Sequence, residues 1–255
     1  MRRKSTMTTI GLRDVWPSAP PLGTFSAQPQ TNFSIPGDTT GTGTWYPYRA
    51  TAAASYAVQQ SDTGVWRFEV RTGDTTPEDI ASGNTNTERC EINHNGFLDK
   101  TKIIRWSFLR MIEAGSPIGP DFCILGQMHA VPDVGDVSAG PTPYHNLKTG
   151  DILEFNWITD NTDPMLVVPA KVTQAKLRTQ RNIWYRYDYR FKWNSNPAGD
   201  GFLEVSQNSV PIVKIVGPLG YNDVKGPSPQ MGIYRGLNPE TLVVYYANIQ
   251  LSYET

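Results

Sequence analysis

Residues 184–193 read Trp-Tyr-Arg-Tyr-Asp-Tyr-Arg-Phe-Lys-Trp. Neighbours on a β-strand point to opposite faces, so Tyr185, Tyr187, Tyr189 and Phe191 share one side of such a strand. Arg186, Asp188, Arg190 and Lys192 share the other. Other runs repeat the pattern: Val65–Val70, Thr87–Ile92, Phe122–Ala130, Ile152–Ile158, Phe202–Val205, Ile212–Val216 and Thr241–Tyr253. Ile103–Ile112 fits helical as well as strand spacing. Turn-rich stretches such as Asn-Ser-Asn-Pro-Ala-Gly-Asp-Gly at 194–201 separate the runs. Many short strands between turn signals predict an all-β sandwich or jelly roll. Residues 159–182 are less strand-like and read as a loop or short helix.

With 255 residues, the chain is long enough to bury a sizeable core. Sandwiches reach about 250 residues as one domain, so residues 46–255 are expected to form one unit. Residues 1–45, rich in Pro, Gly, Thr and Ser, read as an extended arm packed on it. The net charge of −1 offers no bulk attraction for nucleic acid or an anionic membrane. No stretch approaches the roughly 20 apolar residues of a membrane-spanning helix. The basic start lacks the apolar segment of a secretory signal, so a cytoplasmic or non-classically exported protein is expected, acting as a monomer. Cys90 and Cys123 could pair, but two buried thiols fit a chain of this size better. No Cys/His cluster has zinc spacing.

Three strings carry the chemistry: Thr-Glu-Arg-Cys-Glu-Ile (87–92), Gly-Gln-Met-His-Ala (126–130) and Gly-Ile-Tyr-Arg-Gly (232–236). In this order they resemble the signature segments of the jelly-roll polysaccharide lyases, namely the heparin-lyase-like and glucuronan lyase group and, more distantly, family seven alginate lyases. The similarity spans roughly residues 65–255. It implies a concanavalin A-like sandwich of two antiparallel sheets with a concave substrate cleft. It also implies β-elimination on a uronic-acid polymer, glucuronan-like first, with heparin-like glycans or alginate behind it. Two departures stand out. The alginate pattern R-x-E-x-R ends here at Asn93, and Y-x-K-x-G-x-Y becomes Ser228-Pro-Gln230-Met-Gly232-Ile-Tyr234, without its first Tyr and its Lys.

Elimination requires a neutralised carboxylate, a base for the C5 proton and an acid for the departing C4 oxygen. Arg89, Gln127 and Asn93 can donate hydrogen bonds to a carboxylate. His129, with an unperturbed pKa near 6.5, can take a proton near neutral pH. Tyr234 is assigned the hydroxyl role, with Tyr144, Tyr187 and Tyr221 as substitutes, and Glu91 orients Arg89. Arg71, Arg186, Arg190 and Lys192, with Arg67, are expected to give the cleft a local positive field. Trp66, Trp106 or Trp184 could stack on sugar, though core packing is the more ordinary role. His94 and His145 read as loop residues without a role. The partner expected is an anionic polysaccharide. No cofactor is required, although the loop Thr-Asp-Asn-Thr-Asp (159–163) could supply oxygens to a structural calcium ion. The competing reading is a non-catalytic carbohydrate-binding or structural jelly-roll protein.

Overall fold

A computed structural model describes residues 20–28, 32–41, 43–48, 54–115, 122–137, 140–161 and 172–255. Its elements are β1 (Phe25–Ala27), β2 (Trp45–Tyr48), β3 (Val58–Ser61), β4 (Trp66–Val70), α1 (Pro77–Ala81), β5 (Thr87–His94), β6 (Ile103–Ile112) and β7 (Cys123–His129). They continue with β8 (Tyr144–Lys148), β9 (Ile152–Trp157), β10 (Val172–Arg178), β11 (Tyr185–Lys192), β12 (Phe202–Gln207), β13 (Val210–Val216), β14 (Ser228–Gly236) and β15 (Leu242–Tyr253). The strands form two antiparallel sheets. One has eight strands in the order β1-β3-β4-β15-β6-β11-β12-β13, and the other seven in the order β10-β9-β8-β7-β14-β5-β2.

Alternation explains the core between them. Cys90, Ile92, Met128, Met231 and Ile233 point inward from the seven-stranded sheet, and Phe68, Trp106, Phe108, Tyr189 and Phe191 from the eight-stranded one. Ile103–Ile112 resolves as a strand, with Ile104, Trp106 and Phe108 buried and Arg105 exposed. Trp66 and Trp106 are thus core residues, and Trp184 packs against Tyr245. Asn208 and Ser209, with φ of 48° and 61°, make the two-residue turn joining β12 and β13. Positive φ at both central positions matches the twist of a hairpin.

Cys90 and Cys123 are free and buried. They lie on β5 and β7, with β14 between, so two strand spacings of about 4.8 Å separate their backbones and no disulfide can close. Burial pushes the Cys123 thiol up to about 12.

The segment 159–182, read as loop or helix, contains strand β10. This edge strand carries Gln, Ala, Lys and Arg and a register shift between Thr173 and Ala175, which weakens its β signature. His94 and His145 also depart from expectation, since both sit on strands and are buried. His145 Nδ1 lies 2.6 Å from Arg110 Nη1 in the core, and burial followed by the Arg110 charge drives its pKa well below the usual value.

Candidate active site

The outward face of β5, β14 and β7 gathers the motif residues. Pairing sets Asn93 opposite Gln230, and Gln230 opposite Gln127. The same transverse row extends from Asn93 to Tyr46 on β2, and from Gln127 to Tyr144 on β8. His129 lies two residues beyond Gln127 on the same face, opposite Ser228. Arg89 and Glu91 share this face, while the intervening Cys90 and Ile92 fill the core.

Hydrogen bonds tie the row together in two pieces, Gln127 with Gln230 and Glu91, and Asn93 with Tyr46 and Ser228. Gln127 Nε2 donates to Glu91 Oε1 at 2.8 Å and to Gln230 Oε1 at 2.7 Å. Asn93 Nδ2 donates to the Tyr46 hydroxyl at 2.9 Å, and Ser228 Oγ donates to Asn93 Oδ1 at 2.9 Å. His129 Nδ1 is 2.6 Å from the Ala130 carbonyl. A carbonyl only accepts, so Nδ1 carries the proton and a neutral ring holds its lone pair at Nε2. His129 and Tyr46 are half-buried, whereas Gln127, Gln230 and Tyr144 are buried. Burial first, then the nearby Glu154 charge, pushes the Tyr144 hydroxyl up to about 12, so it stays protonated at neutral pH.

Helix α1 anchors the other end. Thr76 caps it, accepting from Asp79 N at 3.1 Å, and Pro77 starts it. The buried Asp79 carboxylate then approaches Arg89 Nε at 3.5 Å, with Glu91 Oε2 at 3.6 Å from the same atom. The Arg89 guanidinium also covers the Tyr234 ring at 3.5 Å.

The structure therefore brings Gln127, Asn93, Glu91 and His129 together, with Arg89 behind Glu91. It does not bring Tyr234 to His129. Tyr234 pairs with Ile124, five residues along β7, about 16 Å of extended strand. Its hydroxyl accepts from Asn84 Nδ2 at 3.2 Å.

The positive field expected from the basic residues also falls elsewhere. Arg186, Arg190 and Lys192 project from β11 in the eight-stranded sheet, each with its own carboxylate: Arg186 with Asp188 at 2.7 Å, Arg190 with Glu254 at 2.7 Å, and Lys192 with Asp200. Arg71 follows β4 and pairs with Glu69. Tyr187 and Tyr221 are core residues, the first under Arg110 and the second against Trp193. Alternation sorts faces within a strand but not between sheets, hence these misplacements.

Sequence reading missed Tyr46 and Gln230. Gln230 had a signal, since it holds the lysine position of the late-strand motif. Tyr46 had none, because it lies on a four-residue strand, β2, at the boundary between the supposed arm and the body.

Part of the expected calcium loop lies outside the described residues. Elsewhere the carboxylates of Asp133, Asp136 and Asp223 converge within 4.8 Å, oxygen ligands of the kind a hard cation takes. Asp133 also accepts from Val224 N at 3.0 Å, tying two loops together. Burial, then Asp133 and Asp136, raises Asp223 to about 6.

Two stacked antiparallel sheets with a polar outer face define a jelly-roll protein. The comparisons make the assignment specific. The polysaccharide lyase family model matches residues 24–250, so the chain belongs to that family and is a polysaccharide lyase. Endo-β-1,4-glucuronan lyase from Trichoderma reesei superposes with a TM-score of 0.63 at 13% identity, over 90% of this chain and 94% of that one. A family 7 alginate lyase from Zobellia galactanivorans gives 0.51 at 11% identity, over 79% and 82%. A β-glucanase catalytic domain from Podospora anserina gives 0.53 at 12% identity, over 83% and 85%. A sequence comparison with curated proteins finds no match.

Proposed function

We propose that this lyase cleaves a uronate-containing polysaccharide, glucuronan-like in preference, by β-elimination on the outward face of β5, β14 and β7. The observation that carries this reading is the row Asn93–Gln230–Gln127 with His129 on the same face. An amide donor of this row meets the sugar carboxylate and lowers the cost of charge developing at C5. Donors aimed at such charge are commonly the largest catalytic term, about 3–4 kcal/mol each. His129 Nε2 takes the C5 proton. The electron pair forms the C4–C5 double bond, and the C4 oxygen leaves. Tyr46 protonates it, being the half-open hydroxyl of the row where Tyr144 is only 3% exposed. Arg89 is a supporting cation, held by Asp79 and Glu91.

The full-length likeness to a glucuronan lyase supports glucuronan as the first substrate to try. The product's double bond is conjugated to its carboxylate, so ultraviolet absorbance rises as chains are cut. Glucuronan, hyaluronan, heparin, alginate and pectate, assayed side by side, are expected to show the rise with glucuronan first. No rise with any of them overturns the uronate reading.

A further inference from the structure

Gln127 is the obvious amide to meet a substrate carboxylate, yet its donors are already committed. Glu91 is fully buried and lies beside the Arg89 cation. Its carboxylate can only accept, so Gln127 must turn its NH₂ group toward it. The second hydrogen of the same Nε2 goes to Gln230 Oε1. What Gln127 has left is an acceptor oxygen, which repels an anion. Gln230 is in the reverse condition. Its Oε1 is occupied, while its Nε2 has no acceptor among the described residues and is not sealed from solvent. Gln230 also stands at the middle of the row, between Asn93 and Gln127.

We infer that Gln230 presents the amide donor to the substrate carboxylate, and that Glu91, through Gln127, fixes the direction of that donor. This rests on the uronate reading above and deepens it, making Gln230 the contact residue and Glu91 and Gln127 positioning residues. The chain of bonds has polarity. The buried carboxylate at one end turns the NH₂ of Gln127 toward itself and leaves Gln230, at the other end, with its N–H outward, so the face prefers a charged uronate over a neutral sugar.

The polarity can be reversed while composition is preserved. In the double variant Glu91→Gln, Gln127→Glu, the carboxylate sits in the middle of the chain. Gln230 must then turn its NH₂ inward and its oxygen outward. The probes are glucuronan oligosaccharides and their carboxyl-reduced counterparts, with binding measured by calorimetry. The wild type is expected to prefer the charged oligosaccharide, and the double variant to lose about 10- to 100-fold of that preference, the range of one charge-assisted hydrogen bond. Thermal melting shows whether the variant is folded. Gln230→Met, which leaves the Glu91–Gln127 pair in place, is expected to lose a comparable share.

Preference intact in both variants overturns the inference, as does a wild type without preference. The two readings fail separately. Unsaturated product with an unmoved preference in the variants sinks the polarity and leaves the elimination. A preference lost in both variants, with no unsaturated product from the wild type, supports the polarity and sinks the elimination.

Discussion

Strand β11 and the trio β5, β14 and β7 carry the same alternation, yet their outward faces behave differently. On β11, Arg186 meets Asp188, Arg190 meets Glu204 and Glu254, and Lys192 meets Asp200. Every charge has a nearby opposite, and the charged β11 side chains are half-buried. On the trio, the polar groups include three buried amides, two of them hydrogen-bonded to each other and one of these to a buried carboxylate, with a half-buried imidazole on the same face. A self-neutralised face has nothing to offer a ligand. On the buried amide row, the Gln230 Nε2 is a donor that the fold itself does not use. Residue type, more than alternation, separates a wet face from a working one.

Three substitutions probe that contrast. The largest effect is expected for His129→Ala, a loss of turnover of about 10²–10⁴-fold, the usual contribution of positioned proton transfer. Assay of purified variant at matched substrate binding checks it, and near-normal turnover would place the base elsewhere.

An intermediate effect is expected at Asp38, a buried partner of the inward-facing His94. Burial alone would raise its pKa, but hydrogen bonds from His94, Thr40 and Trp45 outweigh it and hold Asp38 at about 2, below the ordinary 3.8. A depressed acid contributes stability that is fully present above about pH 4 and is lost as pH falls through about 2. Melting temperatures of wild type and Asp38→Asn are therefore expected to converge between those pH values. A gap independent of pH would remove the ionised Asp38 carboxylate from the account.

The smallest effect belongs to β11. Asp188→Ala breaks a pair exposed by about a third on each side, and is expected to cost about 0–1 kcal/mol, as surface pairs do. Turnover is expected to be unchanged. A marked loss of activity would mean that the charged face contributes to the site after all.

Much of the site was readable before any coordinates. Arg89, Glu91, Asn93, Gln127 and His129 alternate with core residues, so strand periodicity alone puts each local set on one side. That Tyr234 lies away from His129 was not legible, because a motif gives order along a strand but not the level at which neighbouring strands are in register. Arg186, Arg190 and Lys192 were misassigned because nothing in alternation says which of two sheets a strand joins.

The sequence by itself pointed to an all-β sandwich and favoured two buried thiols over a disulfide, since period-two patterning and side-chain chemistry are local properties. Tertiary structure alone decided that Tyr46 joins the row, that Arg89 is held by Asp79, and that Gln127 spends its donors on Glu91 and Gln230. Those outcomes depend on register between strands distant in sequence and on which acceptor is buried beside which donor.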